Sequence, residues 1–494
     1  MIGKQDRWQE DLFVACPLGD LIPEDHILKR VDKVLDLSWV RKEVRNLYDE
    51  SMGRPSIDPE AALRLMLAGL FQGIVHDRKL MREAQVNIAI RWFAGYRLHE
   101  QLPDHSSLTR IRQRWGPDGF RRVFQKTVRA CLDAGLIDGE TIHVDATLIR
   151  ADVSWESLVE RHVEQVLEEN VPEDDPPTRR RGRPRKNPKK PKKYSRTDPE
   201  ATLTTNNKAV RMEPSYKQHT AVDDKAGVIL DVEVSTGEAS EGEQLIDQIE
   251  RIETNTGRKV KAVTADAAYA HSINYARLEN RGTDGVIPPQ SEPKKPKCIP
   301  LRRFKYDSRG KIVRCPAGRV LRRSHRGTRR WIYRARACDC RDCPLRSRCV
   351  PPSGKVRTIG ISDGYEALLR ARRRKAKGWD EQTRQLYCRH RWRSEGIHGE
   401  GKKWHGLGRA IRRGLWNVAI QAFLTAAVMN LKRLAGLGSL PKAAAVGAKA
   451  LIEGLFSILH RWNCCKASHF AIRTVQLPIR RDFGTRTQST AKAA

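Results

Sequence analysis

The sequence predicts an α/β fold: a mixed five-stranded sheet with helices, preceded by an all-α N-terminal domain and interrupted by a Cys-rich, β-rich insertion. Three observations carry that expectation. Helical periodicity fills residues 1–135. From residue 141 short β-branched segments alternate with amphipathic ones, the pattern of α/β architecture. Residues 291–355 break that alternation with basic residues and six cysteines.

Composition narrows the partner. In 494 residues, Lys and Arg number 93 against 59 Asp and Glu, a net charge of +34. So lopsided a balance favours a polyanion, nucleic acid before an anionic membrane surface. No run approaches 18 apolar residues, and the opening MIGKQDRWQED is not a signal peptide. The most apolar stretch, residues 415–431, is broken by Asn417, Gln421 and Asn430, so a core helix is expected and no membrane span. A chain without an export signal stays in the reducing cytoplasm, where its eleven cysteines are free thiols or metal ligands rather than disulfides.

The elements follow in order. Asp58 before Pro59 is an N-cap with proline at the first helical position, and Leu63, Leu67, Leu70 and Ile74 recur at helical spacing. A second helix is expected over residues 80–93, ending near Gly95. Asp104 or Ser106 caps a third, carrying Arg110, Arg112 and Arg114, and the Gly116-Pro117 break separates it from a fourth. Those arginines are the residue types of groove and phosphate contacts, and equally of a solvated basic face. Residues 1–135 are taken as a DNA-binding domain, although the gap between Gly95 and Asp104 is too long for a compact helix-turn-helix.

Residues 138–290 form the first part of the α/β core. TIHVDATLI reads as a buried strand centred on Asp145, and a carboxylate there is costly unless paired or ligating a cation. Residues 171–198 are a linker, acidic at first and then RRRGRPRKNPKKPKKYSR; it can bury no core and is expected to be disordered. Within it Arg181, Arg183 and Arg185 have the form of a minor-groove hook, or make non-specific phosphate contacts. Residues 218–223 and 228–235 make a hairpin about Asp224-Lys225-Ala226-Gly227. Ser240 and Glu243 then read as a capping box, and KAVTADAAY as a strand whose end presents Asp266. A crossover lays this strand parallel to that of Asp145, so both carboxylates converge at one edge of the sheet.

In the insertion, residues 291–355, Cys340 and Cys343 with Cys349 after them and Cys315 upstream have the spacing of a four-thiolate zinc site; the alternative is unligated thiols. Residues 360–435 return to the core, and residues 436–494 are a C-terminal extension. YCRHRWRSEGIHGEGKK, residues 387–403, reads as a helix on which Arg391, Glu395 and Lys402 share a narrow arc while Glu400 points away. One carboxylate among cations suits a metal ion held against a phosphate backbone. Gly396, Gly399 and Gly401 each cost about 1 kcal/mol of helix propensity. The helix therefore packs closely on DNA or on the core, or is irregular.

HVDATLIRAD around Asp145, VTADAAYA around Asp266 and RHRWRSEGIHGEGKK around Glu395 resemble the catalytic segments of bacterial insertion-sequence DDE transposases. The last is similar to the Y-x2-R-x3-E-x6-K signature of the group that includes insertion sequences four and five. Arg391, Glu395 and Lys402 keep its spacing, whereas Cys388 stands at the tyrosine position and Tyr387 lies one place earlier. PDHSSLTRIRQRW, SRTDPEA, YKQHTAVDDKAGVI and the cysteine cluster extend the resemblance over residues 10–435. It implies a ribonuclease-H-like catalytic core in which Asp145, Asp266 and Glu395 are the catalytic acids and bind two Mg²⁺ (or Mn²⁺) ions. It also implies double-stranded DNA as partner, both terminal inverted repeats and target, with Arg391 and Lys402 on phosphates. Holding two transposon ends implies a homodimer or larger assembly. Two rivals stand beside it: a non-catalytic architectural DNA-binding protein, which leaves three separated acids unexplained, and a ribonuclease-H-like nuclease that cleaves without joining.

Overall fold

The computed structural model describes residues 16–49, 56–160, 193–204, 212–290, 298–352 and 354–437. Its first part is helical, with α1 (Ile27–Asp32), α2 (Val40–Val44), α3 (Pro59–Phe71), α4 (Asp77–Val86), α5 (Ile88–Ala94) and α6 (His105–Asp133). Local chemistry sets the ends. Asp58 accepts from the Glu60 N–H at 3.2 Å and Pro59 opens α3, whose Leu63, Leu65, Leu67 and Leu70 are buried. The one helix expected over residues 80–93 is two, because Asn87 accepts from the Ile90 N–H at 3.1 Å and starts α5. Gly95, at φ +80°, ends it. Asp104 caps α6 through the Ser106 N–H at 2.8 Å. The break expected at Gly116-Pro117 is a kink within α6. Gly116 has φ +64°, and a Cβ there would lie 3.5 Å from the Trp416 ring.

The main sheet comprises β1 (Thr141–Arg150), β2 (Leu158–Glu160), β3 (Lys193–Ser195), β4 (Thr202–Thr204), β5 (Glu213–Asp223), β6 (Ile229–Thr236), β7 (Ala262–Ala265) and β8 (Asp284–Val286). β1 is central, antiparallel to β5 and parallel to β7, which is itself parallel to β8. The hairpin is present as β5 and β6. Asp223 fixes its turn by accepting from the N–H groups of Gly139 and Lys225, each at 2.9 Å. The expected count of five strands is corrected to eight. β2, β3 and β4 are three-residue strands, too short to show alternation, and β3 lies inside the stretch read as linker 171–198. The rest of that linker, with Arg181, Arg183 and Arg185, lies outside the described residues, as do nearly all of residues 436–494. Helices α7 (Leu245–Thr256) and α8 (Ser272–Arg281) connect the later strands. The Ser240 capping box does not form: Ser240 makes no side-chain capping bond and precedes only a 3-10 turn, Glu241–Glu243.

A second sheet, β9 (Lys305–Asp307), β10 (Ile312–Arg314), β11 (Val320–Gly327), β12 (Arg330–Arg334) and β13 (Thr358–Ser362), is antiparallel in the order β13-β12-β11-β10-β9. With α9 (Ala337–Arg341) and α10 (Arg346–Cys349) it surrounds its own small core of Phe304, Val313, Leu321, Tyr333, Ile359 and Ile361. The chain then returns through α11 (Tyr365–Lys377), α12 (Glu381–Trp404) and α13 (Leu415–Leu437).

Helix α13 holds the main body together. It packs on α6 and β6, within a hydrophobic core that also takes in α3 and α5. By length and composition it is apolar enough to cross a membrane, but 83% of its most apolar window is buried in the protein. Its polar interruptions are joints. Asn430 accepts from the Ile229 N–H and donates to the Ile229 carbonyl, both at 2.9 Å, and Gln421 donates to the carbonyls of Gly406 and Arg409. Buried Asp77 accepts from both terminal nitrogens of Arg112 at 2.7 and 2.9 Å and also from Arg412, which lies just before α13. Arg112 was expected on the DNA-contacting face. It is instead 7% exposed and committed to Asp77, so that assignment is corrected.

Two stability tests follow from these joints. Asp77→Ala leaves two guanidinium groups unpaired and is expected to lower the unfolding free energy by about 3–5 kcal/mol in urea denaturation. Glu400, bound by Lys432 at 2.6 Å and Arg433 at 3.4 Å, has its pKa taken down to about 2: burial opposes ionisation, but the partners outweigh it. A depressed carboxylate stabilises the fold above its ordinary pKa and ceases to do so as pH falls through the depressed one. The stability difference between wild type and Glu400→Gln should therefore be full at pH 6 and fade between about pH 4.5 and 2.

Candidate active site

Two carboxylates meet because of how β1 and β7 pair. Val144 lies opposite Ala265 in parallel register, so the next residues, Asp145 and Asp266, fall side by side. Asp266 ends the strand and caps a short turn, accepting from the Ala268 N–H at 2.8 Å. Asp145 stays within its strand; one oxygen accepts from the Ala146 N–H at 2.8 Å and the other faces His398 Nδ1 at 3.5 Å. Burial opposes the ionisation of Asp145, but His398 and the Ala146 N–H outweigh it and hold its pKa below the ordinary carboxylate value. Asp266 moves the other way. Burial raises its pKa first, and the charges of Glu241 and Asp145 add to that. Sequence reasoning missed Glu241, which is ion-paired to Lys217 at 3.1 Å.

Helix α12 lies across β1, β5 and β7. Asp380 caps it through the Thr383 N–H at 2.8 Å, and its buried face is His390, Ser394, Ile397, His398 and Gly401. The helix is continuous despite its glycines. A Cβ at Gly401 would sit 3.1 Å from Leu407 and 3.6 Å from Met429, so close packing requires that glycine, whereas Gly396 and Gly399 have nothing within 4 Å. The α12 residue that touches Asp145 is His398. Glu395 lies roughly 60° further round the helix. Its side chain is 64% exposed and bound by Arg391 Nε at 3.1 Å. Among the described residues no three His, Cys, Asp or Glu side chains form a metal-holding group. Of the three expected acids, Asp145 and Asp266 thus meet, while the Glu395 carboxylate is turned outward and paired with Arg391. Lys402 is within electrostatic reach of both Asp145 and Arg150.

Tyr387 resolves the displaced tyrosine. Its ring stacks on His390 at 5.9 Å and meets Trp379 edge-on, and burial followed by the charges of Asp266 and Asp145 raises its pKa. Tyr387 therefore packs beside His390 on the sheet side of α12, while Cys388 is exposed. Beneath the acids runs a buried polar chain: Asp224 to His143 at 2.9 Å, His143 to Thr264 at 2.6 Å, and Thr264 to His390 at 3.0 Å. Burial pushes His390 down to about 4 and His143 downward too, so both imidazoles are neutral near pH 7 and lock α12 to the sheet. The spacing His390, Ser394, His398 at i, i+4, i+8 was the sequence signal for this buried stripe.

The remaining candidates separate by exposure. Arg110 and Arg114 are exposed, Arg114 lying over the Tyr48 ring at 4.4 Å. Cys340 and Cys349 are buried in the small core, with Cys315 packed against it. Burial pushes the Cys349 thiol up, and Cys340, Cys315 and Cys343 add to the rise. Cys338 is exposed. The Cys315 Sγ accepts from the Arg319 N–H at 3.2 Å across a tight turn closed by Gly318 at φ +79°.

Comparison with known proteins gives two family matches. A model described as "Transposase domain (DUF772)" matches residues 17–114, and one described as "Transposase DDE domain" matches residues 314–435. No curated protein matches the chain. Among solved structures, a piggyBac transposase synaptic complex with hairpin DNA is 10% identical over 85% of this chain and 80% of that one, with a TM-score of 0.28. A Mos1 transposase paired-end complex with the left transposon end is 11% identical over 48% of this chain and 61% of that one, with a TM-score of 0.16. Such TM-scores do not establish a common fold. The two family matches show what the chain is similar to: a transposase domain over residues 17–114 and a transposase DDE domain over residues 314–435.

Proposed function

We propose that this chain is an insertion-sequence DDE transposase that binds the terminal inverted repeats of its element, hydrolyses the phosphodiester at each end, and joins the freed 3′-hydroxyl to target DNA. The observation that carries the reading is the side-by-side placement of Asp145 and Asp266 on adjacent parallel strands, with α12 laid across them. We read the central mixed sheet as a ribonuclease-H-like core. Hard carboxylate oxygens, one of them resisting ionisation through burial and then through its acidic neighbours, fit a hard divalent cation. Asp145, Asp266 and Glu395 would hold Mg²⁺ or Mn²⁺, two ions per site. Such ions supply Lewis-acid stabilisation of charge at the phosphorus and ease deprotonation of the attacking hydroxyl.

The chain's own residues do the rest. His398 fixes the Asp145 carboxylate, and the neutral His143–Thr264–His390 chain fixes α12 above it. Arg391, 78% exposed, is placed for a DNA phosphate together with Lys402. A phosphate taking Arg391 releases Glu395 to turn toward the acid pair. Water then attacks the phosphorus in line, the bond to the 3′ oxygen breaks, and a proton leaves the water as the 3′-hydroxyl forms. In the second step that hydroxyl attacks a target phosphate and a target 3′-hydroxyl departs. One phosphodiester replaces another, so no ATP is consumed and no protein–DNA bond forms. We place the activity in the cytoplasm, on a homodimer or larger assembly holding two ends. In the Cys-rich insertion we assign Cys315, Cys340, Cys343 and Cys349 to one structural Zn²⁺, supported by their spacing in sequence.

Asp145→Asn, Asp266→Asn and Glu395→Gln should each reduce Mg²⁺-dependent cleavage of terminal-repeat DNA by about 10³-fold or more while duplex binding persists. Normal cleavage by any of them removes that acid from the site. His398→Ala is expected to lower cleavage by about 10–100-fold, the range of a residue that orients a ligand. A strand-transfer assay into a plasmid separates the transposase from a nuclease that only cleaves. Metal analysis of purified protein should find one zinc per chain, lost in Cys340→Ser; a zinc-free protein of unchanged melting temperature would refute the assignment.

A further inference from the structure

The second sheet carries a charge far out of proportion to its size. Between residues 298 and 362 there are 19 Lys and Arg against 3 Asp and Glu, so 65 residues hold nearly half of the chain's net charge of +34. Several of these cations are committed within the fold. Arg323 donates to the Tyr333 hydroxyl and stacks over Trp331, Arg326 pairs with Asp363, Arg336 with Asp339, and Arg357 donates to backbone carbonyls.

Five are not. Strand register sorts the two faces of the sheet: Val313, Leu321 and Tyr333 point into the small core, so their neighbours in sequence point out. On that outer face Lys305 lies directly opposite Arg314, Arg322 lies directly opposite Arg334, and Arg330 follows on the same strand. All five are exposed, and none has an acidic partner among the described residues. Like charges directly opposite on a sheet destabilise it. A face that repeats the arrangement on two strand pairs, its one acid, Asp307 at the edge of β9, already accepting from the Arg309 and Gly310 N–H groups, is one whose repulsion is relieved by an external polyanion.

We propose that this face, across β9 to β12, is a docking surface for the phosphate backbone of double-stranded DNA, separate from the Asp145 and Asp266 site. Adjacent strands are about 4.8 Å apart, so the row spans roughly 14 Å, enough to follow several phosphates of a duplex. The contact proposed is the charge-to-phosphate one, which strengthens the grip on DNA without selecting a sequence. The proposal rests on the transposase reading only for the choice of duplex DNA as the polyanion.

The test is the salt dependence of binding by the full chain to a duplex lacking terminal repeats, without divalent cation, by fluorescence anisotropy. Each lost phosphate contact reduces the slope of log K against log salt by about 0.9. The triple variant Arg314→Ala, Arg322→Ala, Arg334→Ala should lose about 2–3 from that slope. The matching triple Arg→Lys variant should keep it. Because the substituted positions are exposed and mutually repelling, the alanine variant should melt no lower than wild type, which separates lost contact from lost fold. An unchanged slope in the folded alanine variant overturns the proposal, as does a slope lost only with single-stranded RNA. Cleavage of terminal-repeat DNA is scored separately: a protein that shows the slope effect but never cleaves refutes the transposase chemistry and leaves the docking face standing.

Discussion

Setting two carboxylates side by side on adjacent parallel strands is unfavourable, and much of this molecule is arranged to hold them there. The register of β1 against β7 cannot slip by one residue without turning Asp145 to the other face of the sheet. Burial alone would drive both acids neutral. Asp145 escapes because the Ala146 N–H and His398 supply charge compensation, while Asp266 has a backbone N–H and acidic neighbours and keeps a raised pKa. The pair is therefore asymmetric before any cation arrives: one carboxylate ready, the other waiting for positive charge.

That asymmetry is maintained from beneath and from behind. Neutral His143 and His390, joined through Thr264, form a buried polar layer that fixes α12 against the sheet at the cost of desolvating two imidazoles. Behind them α13 ties β6 through Asn430, and the segment before it ties α4 and α6 through Arg412 and Asp77. The helical residues before β1 and the sheet thus share one hydrophobic core. Glu395 stands outside this rigid frame, on the exposed side of a helix whose Gly396 and Gly399 leave open space around them.

The second sheet follows a different logic. It has its own small core, and its cations divide into those that bond within the fold and those with no acidic partner on the outer face. Electrostatic self-repulsion of this kind is a liability for the isolated protein and an advantage beside a polyanion. The fold tolerates it because Val313, Leu321 and Tyr333 on the opposite face are packed into the small core.

Much of this was legible in sequence, and the reason is locality. Caps at Asp58 and Asp104, the hairpin turn at residues 223–228 and the β-branched runs around Asp145 and Asp266 are short-range signals, and the structure places those elements accordingly. The charge of +34 and the spacing of Arg391, Glu395 and Lys402 pointed to the family that the comparisons support. What no local pattern contained was partnership across the chain. Arg112 looks like a DNA contact until Asp77 and Arg412 arrive from 35 residues before it and 300 after it. Three-residue strands β2 to β4 carry no periodicity and exist because a neighbour completes their hydrogen bonds. His398 outranks Glu395 as the contact of Asp145 because of the angle at which α12 crosses the sheet. By itself the sequence determined which residues are acids, cations and caps and which segments are helix or strand, since those depend on side-chain chemistry and near neighbours. Which acids meet, which cations are spent inside and which face outward was decided only by tertiary packing, where burial and strand register set the distances between groups far apart in the chain.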